Sequence, residues 1–93
     1  MSSSDIATLA DIRDAIDETD SLLIRALGAR FRSVDFLRRL KSMQKMRIDD
    51  PVREQHLKDK WKREAKEYKV PEHLALLMLD FILAESKRIQ EQS

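Results

Sequence analysis

The chain has 93 residues, enough for one domain at most. A domain of this size buries a modest share of its surface, so additional burial through oligomerisation is expected. Lys and Arg total 18 and Asp and Glu total 17, and this balance gives no overall attraction to nucleic acid or to an acidic membrane. The chain has no Cys, which excludes disulfides and thiolate chemistry, and its two His, His56 and His73, lack the spacing of a metal site.

The N-terminal sequence MSSSDIATLADIRDA has neither the basic start nor the continuous apolar segment of a signal peptide. No later stretch approaches the ~18 apolar residues of a membrane span. We therefore expect a cytoplasmic protein that binds neither nucleic acid nor a membrane. Residues 1–93 are expected to form a single domain, with residues 1–5 as a frayed tail.

Few turn signals interrupt the chain, which has one Gly and two Pro beside abundant Leu, Arg, Lys, Glu and Ala. Ser4 or Asp5 is expected to cap a first helix that runs to about Met46. If unbroken, this helix is roughly 60 Å long, whereas a compact domain of this length is only about 32 Å across. Such a helix needs a partner, unless it breaks near Gly28 and folds back into a monomeric four-helix bundle.

Two prolines mark the starts of the later helices. Asp50 followed by Pro51 fits a helix cap and a Pro in the first turn, so a second helix is predicted from there to Lys66–Lys69. Pro71 repeats this signal and predicts a third helix that ends near Gln90. The sequence thus predicts an all-α fold with three helices per chain, one of them very long.

The first helix has an apolar stripe that should be buried. The stripe consists of Leu9, Ile12, Ile16, Leu23, Leu27, Val34 and Leu37. Arg30 and Lys41 lie in the same stripe, eleven positions apart, so both cations project in one direction. Because burying an unpaired cation costs several kcal/mol, we interpret both residues as ligands of an anion rather than as solvated charges.

Arg13 lies seventeen positions before Arg30, about 25 Å along a helix and roughly 100° around it. One small ligand cannot contact both residues from one straight helix. Either Arg13 is a surface residue, or it reaches the corresponding site of a second chain.

The second helix carries Asp50 and Glu54 at the start of its stripe, with Arg53 beside them. The stripe continues through Leu57, Trp61, Ala65 and Tyr68. A simpler interpretation remains open, in which Asp50 is only a helix cap and Glu54 an acid favoured by the helix dipole.

The third helix has two apolar faces, one of Leu74, Leu77, Phe81 and Ile89, the other of Leu76, Leu79 and Leu83. The second face continues into Ser86 and Gln90, although a fraying C-terminus would also explain polarity there. No Ser-His-Asp set, Gly-rich phosphate loop or paired-carboxylate motif is present. What remains is a cluster of Arg, Lys, Gln and Ser suited to holding a small dianion.

These features resemble the all-α (AroQ-type) chorismate mutase family from Leu9 to Gln90. The segments that carry the resemblance are LADIRDAIDETD, ALGARF, LRRLK, DDPVRE and ILAESKRIQ. Each segment is weak alone, but all eight polar positions of the family's site are matched in order. The resemblance implies an intertwined helical-bundle homodimer whose two active sites are each built from both chains.

The resemblance also implies roles for the arginines and the serine. Arg13 would come from the neighbouring chain and bind a substrate carboxylate. Arg30 and Ser86 would help to hold the carboxylates, and Arg53 would add positive potential.

The remaining four residues would address the substrate's oxygens. By resemblance, Lys41 and Gln90 would face the ether oxygen of the breaking bond, and Asp50 and Glu54 would receive the ring hydroxyl. The family reaction is the Claisen rearrangement of chorismate to prephenate, a step of aromatic amino acid biosynthesis in the shikimate pathway. It needs no base, nucleophile, metal or cofactor, and it is accelerated by positioning the reactive conformer and stabilising charge on the ether oxygen.

Three alternatives stay open. Isochorismate-pyruvate lyases share the fold and the Arg and Lys positions but have generally lost the acidic pair, which is present here as Asp50 and Glu54. An aminodeoxychorismate mutase is also compatible with the pattern. In a third interpretation, the stripes of a non-enzymatic helical module form a dimer interface and bind no ligand.

Overall fold

A computed structural model describes residues 8–44 and 50–92. These residues form three helices and no strand: α1 Leu9–Gln44, α2 Pro51–Glu67 and α3 Glu72–Gln90. The predicted all-α class with three helices is confirmed. The chain divides into two compact units, residues 1–32 and residues 33–93. Within the described residues, no helix is long and apolar enough to cross a membrane.

A capping box starts helix α1. The backbone N–H of Thr8 donates to Asp11 Oδ2, and the backbone N–H of Asp11 donates to Thr8 Oγ1, each at 3.1 Å. Hydrogen bonding from Thr8, first from its backbone N–H and then from its side chain, favours the ionised carboxylate and lowers the pKa of Asp11. The expected caps, Ser4 and Asp5, lie outside the described residues, as does the expected tail. The described helix begins instead at Leu9, because Thr8 supplies the cap.

Helix α1 continues through Gly28, so the predicted long helix is confirmed and the break is not observed. Its expected end at Met46 lies outside the described residues. A Cβ at position 28 would lie 3.6 Å from the side chain of Arg32, which is ordinary van der Waals contact. A lone Gly of this kind costs the helix only about 1 kcal/mol, which the rest of α1 can absorb.

The apolar stripe of α1 is largely exposed, contrary to the prediction that it is buried. In the first unit, Leu9, Ile12, Ile16 and Leu23 are about half exposed or more. The described backbone of that unit is a single helical segment, which cannot cover its own apolar face. Among the predicted stripe residues, Val34 in the second unit is buried.

In the second unit, α2 packs against α3. The buried side chains of these two helices are Ala65, Ala75, Leu79, Ile82 and Ser86, of which Leu79 is fully buried. The predicted face of α3 that includes Leu79 therefore does face the core. On the other predicted apolar face Leu74, Leu77 and Phe81 are exposed, Phe81 to 76 %, while Ile89 is partly buried.

A Schellman motif ends α2 and begins the turn to α3. Val70 N–H donates to the carbonyl of Ala65 at 2.8 Å, and Lys69 N–H donates to that of Lys66 at 3.4 Å. Lys69 adopts the left-handed conformation that this motif requires, with φ of 59°. The chain then turns at Pro71 into α3, which begins one residue later than predicted.

Candidate active site

A hydrogen bond in the second unit joins the last turn of α1 to the last residue of α3. Lys41 Nζ donates to Gln90 Oε1 at 3.1 Å, across 49 positions of sequence, and both side chains are partly buried. A second bond supports the same connection, because Arg38 Nη1 donates to the backbone carbonyl of Gln92 at 3.1 Å. Arg38 is itself held by Asp35, one turn earlier on α1, at 3.0 Å.

The bond from Lys41 also orients the Gln90 amide. Since the amide oxygen is turned to the ammonium group, the amide nitrogen and its two N–H donors are directed away from Lys41. The pair thus combines one positive charge with hydrogen-bond donors, a combination that stabilises negative charge on an oxygen atom.

An ion pair joins α2 to α3 at the neighbouring turn. Lys87 Nζ lies 2.9 Å from Glu54 Oε1, and the two side chains are 41 % and 29 % exposed. Glu54 is therefore more than an acid that the dipole of α2 favours, because its side chain contacts a second helix. Lys87 was not among the site residues predicted from the sequence. The available signal was its place three positions before Gln90, which puts both residues on one face of α3.

Asp50 caps α2, as the simpler interpretation of this residue requires. Its Oδ1 accepts a hydrogen bond from the backbone N–H of Arg53 at 3.0 Å, and both side chains are exposed. Ser86 is buried in α3, and its hydroxyl donates to the carbonyl of Ile82 at 2.7 Å. A hydroxyl held in this way can still accept a hydrogen bond from a ligand.

Arg13 and Arg30 belong to the first unit. Arg13 is exposed and Arg30 is partly buried. The contacts of the second unit bring Lys41 together with Gln90, and Glu54 together with a residue that the sequence did not single out. That Arg13 and Arg30 belong to the active site stays a prediction.

The arrangement suits non-covalent binding of a polar, anionic ligand. The two cross-helix pairs place two ammonium groups, an amide and a carboxylate at the C-terminal turns of α3. Among residues 8–44 and 50–92, no group of three or more His, Asp or Glu side chains could hold a metal ion.

Comparisons with known proteins identify the family of the chain. The family model of chorismate mutase type II matches residues 12–91. The chain is also 28 % identical over 87 residues to a chorismate mutase of Methanocaldococcus jannaschii, an alignment that covers 94 % of this chain and 88 % of the relative. No solved structure gives a significant match. Because the family match extends from the first turn of α1 to the residue after α3, the chain belongs to the chorismate mutase type II family and is an enzyme of the isomerase type.

Proposed function

We propose that the chain rearranges chorismate to prephenate through a site that contains Lys41 and Gln90. The observation that carries the proposal is the hydrogen bond between these two side chains, which joins a cation and an amide from two helices. In the rearrangement the ether bond breaks while a carbon–carbon bond forms, and negative charge develops on the ether oxygen. The ammonium group of Lys41 and the amide N–H of Gln90 would stabilise that charge.

The other residues would hold the substrate in the reactive conformer. We assign carboxylate binding to Arg30 and Ser86, with Arg53 adding positive potential. Asp50 and Glu54 would receive the ring hydroxyl. Arg13 would bind a carboxylate from a second chain. Family membership and the match of these residue types in order support the assignment.

The same proposal includes a homodimer with two shared sites. Its support is the exposed apolar stripe on the one helical segment that the described residues of the first unit form. An isolated helix of this length is marginal in water unless its apolar face packs against another element. A second copy of the chain would supply such a face.

The direct test is to incubate the protein with chorismate and with isochorismate separately and to identify the products. The proposal expects prephenate from chorismate. Salicylate and pyruvate from isochorismate, without prephenate from chorismate, would replace it with the lyase activity. No turnover of either compound, together with an unchanged melting temperature in a bicyclic mimic of the transition state, would favour the non-enzymatic dimerisation module.

Lys41→Ala tests the site within the same assay. We expect kcat/KM for chorismate to fall more than a hundredfold, since losing one donor of this kind costs about 3 kcal/mol of barrier. The melting temperature should change little, because Lys41 is only partly buried. Lys60→Ala is the control, because Lys60 is exposed and its contact is with Glu64 on α2. Activity of Lys41→Ala within threefold of the wild type would contradict the assignment.

A further inference from the structure

The ion pair between Glu54 and Lys87 has no part in the function proposed so far. It joins α2 to α3 at 2.9 Å, beside the turn of α3 that carries Gln90. Both side chains are partly exposed, so a ligand in the site can reach them. Glu54 is the proposed acceptor of the substrate's ring hydroxyl, and Lys87 therefore lies next to the position of that hydroxyl.

Glu54 can serve both partners at once. A carboxylate has two oxygens and accepts several hydrogen bonds, so Oε1 can remain with Lys87 while the other oxygen accepts from the substrate. In this arrangement, the substrate meets a carboxylate whose charge is already balanced by an ammonium group.

We propose that Lys87 is a specificity-determining residue, which orients the Glu54 carboxylate and makes the site favour a neutral hydroxyl over an ammonium group at the same ring carbon. The inference rests on the proposed function, because it assumes that Glu54 meets this ring substituent.

The preference for a hydroxyl would arise from the combined charges of Glu54 and Lys87. A lone Glu54 carboxylate would attract a cationic substituent more strongly than a neutral one. With Lys87 on Oε1, a substrate ammonium bound to the other oxygen would stand within about 6 Å of a second cation, and like charges at that distance repel appreciably inside a protein site. Discrimination through such a repulsive contact is a common source of specificity.

The test compares chorismate with 4-amino-4-deoxychorismate, which carries an ammonium group at neutral pH in place of the hydroxyl. For Lys87→Met, the ratio of kcat/KM for chorismate to kcat/KM for the amino compound should fall about tenfold. Lys87→Arg, which keeps the positive charge, should hold the ratio within about twofold of the wild type. Arg88→Met is the matched control, because it removes a cation from the adjacent position, where Arg88 pairs with Glu85 on the same helix.

A double-mutant comparison with Glu54 tests whether Lys87 acts through this carboxylate or only through its charge. In a Glu54→Gln background, Lys87→Met should change the ratio clearly less than in the wild-type background, because the carboxylate that holds both Lys87 and a substrate ammonium at this place is gone. Melting curves of each variant check that the fold is retained.

Three results would overturn the inference: an unchanged ratio in Lys87→Met, an equal fall in Arg88→Met, or an equal effect of Lys87→Met with and without Glu54. If the wild type does not convert chorismate at all, the proposed function fails first. If it converts chorismate and the ratio is insensitive to Lys87, the inference about Lys87 alone is wrong.

Discussion

Gln90 accepts a hydrogen bond from Lys41, so the N–H donors of its amide are directed away from the Lys41 ammonium group. If those donors face the ether oxygen, an ionised carboxylate in their place would repel the charge that develops there, whereas a protonated acid would still donate. We therefore expect Gln90→Glu to be nearly inactive at neutral pH and to gain activity as the pH falls. The measurement is the pH dependence of kcat/KM for chorismate.

Gln92→Glu is the control for Gln90→Glu. It adds the same charge two positions later, at an exposed residue beyond the end of α3. Its pH profile should follow that of the wild type. A wild-type profile for Gln90→Glu as well would mean that Gln90 does not face the reacting oxygen.

Glu54 offers a second test at the scale of one residue. Glu54→Gln should lose less activity than Glu54→Ala, because an amide oxygen still accepts a hydrogen bond from the ring hydroxyl and Ala leaves that hydroxyl without a partner. We expect about a tenfold difference in kcat/KM between the two variants, which corresponds to a hydrogen-bond contribution of about 1.4 kcal/mol. Equal losses of activity would indicate that Glu54 has only a structural role, through its ion pair with Lys87.

At the scale of elements, the turn between α2 and α3 sets how the two helices of the second unit meet. The Schellman motif requires a left-handed residue, and Lys69 fills that position with φ of 59°. Gly adopts this conformation without the steric cost that a Cβ brings. Lys69→Gly should therefore raise the free energy of unfolding by about 0.5–1 kcal/mol, as measured by urea denaturation.

Lys66→Gly provides the contrast for Lys69→Gly. Lys66 lies three positions earlier, within the last turn of α2, where Gly costs about 1 kcal/mol relative to a good helix former. The two substitutions should thus change stability in opposite directions. A loss of stability in both variants would show that the left-handed conformation at Lys69 carries no strain.

At the scale of the whole molecule, the exposed stripe of the first unit predicts that the folded state needs a second chain. Arg13→Ala and Arg30→Ala should each be nearly inactive as pure homodimers, because every site then lacks one Arg. If equal amounts are unfolded and refolded together, about half of the dimers should contain both variants. In such a dimer, symmetry places both substitutions in one site and leaves the other intact.

The mixture should therefore recover about a quarter of the wild-type activity, if pairing is random and the sites are independent. Each variant refolded alone is the control and should recover almost none. If a site is built within one chain, every site keeps a substitution and mixing restores nothing. That result would exclude the shared sites while leaving the chemistry open.

The sequence by itself determined the helices and the family. Asp50 and Pro51 mark the start of α2, and α3 ends at the predicted Gln90, because caps and prolines act on the backbone within a few residues. The long α1 could also be predicted, since a lone Gly28 is too weak a signal to break it. The resemblance to chorismate mutases was visible for a related reason, because it depends on residue types in order along the chain, and the family match confirms it.

Only the tertiary structure decided which face of α3 is buried and what Glu54 contacts. The periodicity of α3 offers two apolar faces, and the packing against α2 covers the one with Leu79 while Phe81 stays exposed. The same packing brings Lys87 to Glu54. A contact of this kind depends on the rotation and offset of one helix relative to another, and the periodicity of either helix alone fixes neither quantity.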